Sequence, residues 1–375
     1  MGKRGFRKPM KSIRCPLCKY TDIKLLGKRS DLTKLTKDYS IYVEDLNIFD
    51  RKIYKCQVCG LQFIHPMYNE YDLNALYNQD GYQLFLKDNY PIDSYDSPDA
   101  KYKIQSWKKK YMDLGISSWR KEFTKKKKRN PRFLDVGCGK GQYLIVFHEL
   151  GFEVTGIDLS HIHIDFIQQF LNYNVINTSL EDFNPHEKFD CILAAHVIEH
   201  VVNLHQFMGK ITNLLESDGL LLIETPIIED FGDYKQRYRD IYHSLFFDHF
   251  TLSLLADMYN MQYQNSINLI FEDDCFRVLM LSALKKYGEM NCEIISNNRI
   301  KNFRSAYNYL QNDLLEIAKA RSPHMLLESL NILDEKLNIL LAGSLFKRAW
   351  NYWRKHGFIS TIKKTFNFIV NKLRR

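Results

Sequence analysis

From about residue 132 the chain alternates short apolar runs with longer stretches whose apolar positions recur at helical spacing. FLDVG, EVTGIDL, NVINTSL, FDCILAAHVIEHV and GLLLIETP read as strands, with helices or a short connector between them. Such a rhythm predicts an α/β protein with a parallel sheet and its sites at the strands' C-terminal ends. LFFDHFTLSLLADM then reads as a turn feeding an amphipathic helix that Asp248 or Thr251 would cap, and INLIFE and FRVLMLSAL as the strands that finish a seven-stranded sheet. Upstream, 70–88 and 101–123 are helix-compatible within a tyrosine- and lysine-rich stretch, where Tyr77, Tyr82, Tyr90 and Tyr95 would pack or line a pocket. Downstream, 299–341 is helical by pattern, and 344–356 and 358–373 each carry an apolar stripe at helical spacing. These changes of pattern divide the chain into 1–66, 67–131, 132–287, 288–343 and 344–375.

The first strand of the alternating region runs into FLDVGCGKG, where Gly137, Gly139 and Gly141 turn the chain into a helix. Glycines there let a ligand lie against bare backbone beside a helix N-terminus. Asp158, 17 residues past Gly141, lies near where an acid would hold a ribose. A dinucleotide turn is also glycine-rich, but its spacing is GxGxxG, whereas this one is GxGxG. Asp135 also sets a carboxylate at the mouth of the turn, which repels a pyrophosphate and welcomes a cation. S-adenosylmethionine carries an ammonium and a sulfonium and is the cofactor this turn favours. Lys140 argues mildly for a phosphate, and a structural glycine turn is the plainer reading. Asp182, in LEDF, would accept from the adenine amino group or cap a helix.

Four of the eight cysteines form two CxxC pairs, Cys15 with Cys18 and Cys56 with Cys59, in a segment with few apolar residues. Two tight turns, each offering two thiolates, complete a tetrahedron around one structural zinc with no open position for catalysis. Free or redox thiols are the alternative. Cys138, Cys191, Cys275 and Cys292 stand singly among apolar neighbours and read as buried thiols.

Hydrophobic residues make up 45% of the 375, and no apolar run approaches the roughly 18–20 residues needed to span a bilayer. The basic N-terminus is followed by no apolar run, so it is not a secretory signal, and a cytoplasmic protein is expected. The formal charge of +9 resides in 344–375, which holds nine Lys/Arg and no acid. Basic residues around apolar stripes suit a helix on an anionic membrane surface, and packing on protein explains the stripes equally well. KKKKR at 125–129 reads as a solvated linker or an anion contact.

Taken in order, LDVGCGKG, GIDLS, LEDF, FDCILAAHVIEHV and LLIETP resemble the class I S-adenosylmethionine-dependent methyltransferases. CPLC, YKCQVCGLQFIHP and DHFTLSLL make the chain, over about residues 13–285, similar to bacterial members with an N-terminal zinc-binding module from sugar, polysaccharide and secondary-metabolite pathways. The resemblance implies a seven-stranded Rossmann-like methyltransferase sheet with a small N-terminal zinc ribbon and a helical C-terminal extension. It implies that Asp135, Gly137, Cys138, Gly139, Gly141, Asp158, Leu159, Asp182 and Ala195 hold the cofactor. The acceptor it implies is a sugar or lipid-linked glycan precursor, methylated at a hydroxyl. In related sugar C-methyltransferases a Glu-His pair stands where this chain has Asp248-His249, and the aspartate departs from that chemistry.

A hydroxyl acceptor has to be aligned in a dry pocket and relieved of a proton. His249 is the leading general base, with Asp248 beside it in sequence, and His196, at the end of the fourth strand, is the second. Each histidine also reads as a structural residue, and His200 reads mainly so. Two rivals stand beside this reading, an RNA methyltransferase and a non-catalytic S-adenosylmethionine-binding scaffold. No aromatic-basic RNA-binding module is evident, so a nucleic-acid partner is not expected, and the sequence leaves the oligomeric state open.

Overall fold

The computed structural model describes residues 13–28, 51–69, 72, 94–228, 243–259, 261–271, 274–283, 304 and 308. The helices expected over 299–341, 344–356 and 358–373, the segment 70–88 and Tyr90 lie outside these apart from residues 72, 304 and 308. In chain order the elements begin with β1 (Ile23–Lys28), β2 (Lys52–Cys56), β3 (Gln62–His65), α1 (Pro98–Leu114), α2 (Ile116–Lys127), β4 (Arg132–Val136) and α3 (Gln142–Glu149). There follow β5 (Glu153–Asp158), α4 (His161–Phe170), β6 (Asn174–Asn177), β7 (Phe189–Ala195), α5 (Leu204–Leu214) and β8 (Leu215–Pro226). The last are β9 (Leu245–Phe246), α6 (His249–Met258), β10 (Met261–Phe271) and β11 (Asp274–Ala283).

Seven strands form one sheet in the order β10-β11-β8-β7-β4-β5-β6. β4 to β8 are mutually parallel, and β11 runs antiparallel between β8 and β10. Alternation along the central strands sorts their side chains between two layers. Leu134, Val136, Ile192, Ala194, Leu221 and Ile223 join one buried cluster, while Phe133, Cys191, Leu193, Ala195, Leu220 and Leu222 join the other. α1, α2 and α3 cover the second face, where Phe133 stacks on Phe147 at 3.9 Å. The segment 101–123, helix-compatible in the sequence, is two helices. Ser97 accepts from the Ala100 N–H to start α1, and Gly115, at φ 104°, ends it and begins α2.

The N-terminal part is not packed as a separate body. β1, β2 and β3 form a four-stranded sheet whose fourth member is β9, with Gln62 opposite Phe246 and Phe63 opposite Leu245. The Leu17 carbonyl lies 2.7 Å from His205 Nε2 on α5, and Cys15, Leu17, Val58, Leu61 and Phe63 share a buried cluster with α5 and α6. A boundary near residue 66 therefore marks a change of sequence character, not a gap in the packing. Among the described residues no helix is long and apolar enough to cross a membrane.

Candidate functional site

The glycine turn sits at the C-terminal end of β4, where Gly137, Gly139 and Gly141 all have positive φ (71°, 51° and 79°). A Cβ built on Gly139 would meet nothing within 4 Å, so this backbone faces open space, whereas one on Gly137 would strike Val197 at 2.8 Å. α3 begins directly after Gly141 with no side-chain cap, which leaves its first N–H groups to a ligand. Asp158, at the end of β5, braces the turn. Its Oδ2 accepts from the Gly139 N–H and its Oδ1 from the Ser160 N–H, both at 2.8 Å. A carboxylate has lone pairs beyond these two, so ribose hydroxyls can still donate to it.

Asp135 is the clearest sign of a ligand. It is 1% exposed, and neither carboxylate oxygen has a hydrogen-bond partner among the described residues. Burial, reinforced by Asp158 and Glu224, pushes its pKa well above the usual carboxylate range. A cation before it would relieve that penalty. Leu159, next to Asp158, is 58% exposed. Asp182, exposed and accepting from the Ser179 hydroxyl at 2.8 Å, lies just beyond β6. Ala195 ends β7, next to the glycine turn's strand. Cys138 differs from its neighbours, since its sulfur packs under Gly156 within the core. The Tyr95 hydroxyl donates to the Lys140 carbonyl, and its ring meets those of Phe166 and Phe170. These residues fit the methyl donor, which supplies an electrophilic methyl group when bound.

Beside the turn, the ends of β7 and β8 carry a charged cluster whose members stand far apart along the chain. His196 has φ 55°, a strained value outside glycine, and its N–H donates to the Glu224 carbonyl at 2.8 Å. Its Nδ1 lies 3.6 Å from Glu199 and its Nε2 3.7 Å from Glu224, and its side chain is 40% exposed. Burial lowers its pKa, but the two carboxylates outweigh burial and raise it to about 10. Glu224 is held by Lys110 of α1, whose Nζ donates to both oxygens at 2.8 and 2.6 Å, and by the Tyr111 hydroxyl at 3.0 Å. The Lys110 ammonium also lies 4.9 Å and 5.1 Å from the ring centroids of Tyr111 and Tyr143.

The Asp248-His249 pair stands at the start of α6. Asp248 is the N-cap of α6, and its Oδ1 accepts from the Thr251 N–H at 2.8 Å while Thr251 Oγ1 accepts from the Asp248 N–H. Its Oδ2 accepts from Arg304. His249 is 0% exposed, on the helix's first turn.

Cys15, Cys18, Cys56 and Cys59 converge, with all four sulfurs within 4.8 Å of one another and all four residues buried. Cys15 and Cys59 are 3.6 Å apart, and Cys18 and Cys56 3.5 Å, far from a disulfide length. Thiolates bound to one zinc at about 2.3 Å sit about 3.8 Å apart in a tetrahedron, so the donor set fits that ion.

A family model described as a methyltransferase domain matches residues 109–270. The ubiquinone biosynthesis O-methyltransferase of Rhodopseudomonas palustris (strain HaA2) is 37% identical over 101 residues, 25% of this chain and 39% of that one. The chain thus spans less than half the length of the curated relatives it matches. Similar solved structures include the magnesium protoporphyrin IX methyltransferase of Synechocystis PCC 6803 with bound SAM (12% identity, 58% of this chain and 99% of that one, TM-score 0.41). Another is the 1,6-didemethyltoxoflavin-N1-methyltransferase of Burkholderia thailandensis (15% identity, 63% and 96%, TM-score 0.38).

Proposed function

We propose that the chain transfers a methyl group from S-adenosylmethionine to a hydroxyl on a sugar or lipid-linked glycan precursor. The observation that carries the donor is Asp135, a buried carboxylate with both oxygens unpartnered at the mouth of the glycine turn of a methyltransferase domain. Support for a hydroxyl acceptor comes from the match to O-methyltransferases. A second reading, a phenolic or quinone-type acceptor, is favoured by the ubiquinone-pathway relatives. Purified protein supplied with labelled donor and either sugar nucleotides or phenols separates the two. Label in phenols alone would overturn the glycan reading, and donor binding without label in any acceptor would leave the scaffold alternative.

Within this reading Asp248 and His249 hold the entry of α6 and do not move the proton. Loss of a general base lowers turnover by about 10²–10⁴-fold. His249→Gln is expected to lower the melting temperature while turnover per folded molecule stays well above that range of loss, measured by activity against folded fraction. A drop into that range with unchanged donor affinity would restore His249 as the base. The four cysteines are proposed to hold a structural zinc.

The tail 344–375, outside the described residues, is proposed to hold the enzyme at an anionic membrane surface on the cytoplasmic side, on the strength of its nine basic residues and no acid. The full chain should float with anionic vesicles and a chain ending at 343 should not. Equal flotation would discard the membrane role.

A further inference from the structure

The methyl-transfer reading leaves part of the β7–β8 cluster without a task. Glu199 lies in the turn that follows β7, and the Ser244 and Leu245 N–H groups both donate to its carbonyl, at 2.8 and 3.0 Å. This fastens the chain entering β9 onto the turn and sets His243 against His200, ring centroids 4.8 Å apart. Thr225 Oγ1 donates to Glu199 Oε2 at 2.9 Å, which fixes the carboxylate. The other oxygen, Oε1, is buried and has no hydrogen-bond partner among the described residues.

That oxygen is surrounded by imidazole nitrogens. His196 Nδ1 lies at 3.6 Å, His200 Nε2 at 3.8 Å and His243 Nε2 at 3.9 Å. The separations are too long for hydrogen bonds. They are close to those between neighbouring ligands of one ion, since groups bound at about 2.1 Å sit roughly 3–4 Å apart. The ligand atoms of Glu199, His200 and His243 all lie within 4.8 Å of one another. A carboxylate 2% exposed with an unsatisfied oxygen is unfavourable alone, and a cation at the shared focus removes the penalty.

We propose that Glu199, His200 and His243 form a second metal site, a two-histidine, one-carboxylate set for a divalent first-row transition ion, distinct from the cysteine cluster. Thr225 is its positioning residue, and His196 Nδ1 lies 3.6 Å from the same Glu199 oxygen. The role of the ion, though not its binding, rests on the methyl-transfer reading. An ion held by Glu199, His200 and His243 would act as a Lewis acid toward an acceptor hydroxyl and would ease loss of its proton to water. An oxygen lone pair then forms the bond to the methyl carbon, while the carbon–sulfur bond breaks with its electron pair left on sulfur as a neutral thioether.

The test is titration of the full chain with manganese chloride, followed by loss of the free-ion electron paramagnetic resonance signal. Manganese suits oxygen and nitrogen ligands and is a poor match for thiolates, so the cysteine cluster stays silent. One equivalent should bind. Glu199→Gln and His243→Asn should each weaken binding by more than tenfold, and Thr225→Val by about 10–100-fold, as loss of an outer-shell partner does. Circular dichroism reports whether each variant folds, and His243→Asn, at a partly exposed position, serves if Glu199→Gln does not. No bound manganese, or equal binding in folded His243→Asn, overturns the site. Donor binding and turnover in the same samples keep the two readings apart. Turnover that is indifferent to chelator in a protein that binds no manganese overturns the metal site alone. Manganese bound by a protein that methylates no acceptor upholds the site and removes the methyl-transfer reading.

Discussion

Lys110→Met is expected to destabilise the protein by about 3–5 kcal/mol, the range for removing one partner of a buried ion pair. Lys110 and Glu224 are 7% and 6% exposed at their side chains, and the ammonium contacts both carboxylate oxygens. Without it Glu224 keeps the tyrosine hydroxyls and the His196 ring, but loses the cation that offsets its burial. Denaturant titration measures the loss, and Lys110→Met with Glu224→Leu should regain most of it, because the buried pair gives way to two apolar groups while Glu199 still faces His196. A single variant as stable as the parent would show the pair to be energetically idle. Acid has a related effect. Burial raises the Glu224 pKa, but Lys110 first and then His196 outweigh burial, so its folded value lies below the ordinary 4.5. Its stabilising contribution is therefore complete above pH 4.5 and is lost as pH falls from there through the folded pKa.

The second large effect concerns the cysteines. Cys56→Ser is expected to remove the proposed zinc and unfold the sheet of β1, β2 and β3, since structural zinc contributes on the order of 10–16 kcal/mol of apparent folding free energy in small modules. The damage should not stop at residue 66, because β3 pairs with β9 and the Leu17 carbonyl meets α5. β9 leads directly into Asp248 and α6, so activity should fall together with metal content and with protease resistance around residue 65. A variant that loses its metal yet keeps the parent's protease pattern and turnover would refute the structural role.

Some of this was legible in the sequence because the chemistry is local. Asp135 and the three glycines stand in one nine-residue run, and each cysteine pair stands in one turn. Lys110 and Glu224 were not legible, for the opposite reason. Lys110 is one of several lysines between 101 and 110 and resembles its solvated neighbours, and Glu224 closes an apolar run that reads as plain strand. Their meeting depends on α1 lying across the sheet, which periodicity does not reveal. His243 was missed because nothing ties it to VIEHV until the Ser244 and Leu245 N–H groups reach the Glu199 carbonyl. The Asp248-His249 pair was legible only as two readings, since an acid before a histidine serves a helix cap as well as a proton transfer. The capping box with Thr251, three residues on, was the signal for the former.

The pairing of β3 with β9 also bears on how the protein is made. About 180 residues separate Phe63 from its partner Leu245, and at about 5–20 residues per second that interval of synthesis lasts roughly 10–40 seconds. During it β3 presents an unpaired edge, open to association with another nascent chain. A ribosome stalled before residue 245 therefore leaves a fragment that carries all four clustered cysteines and a sticky strand. Slow translation through β7 and β8 should raise aggregation more than the same delay placed after β9.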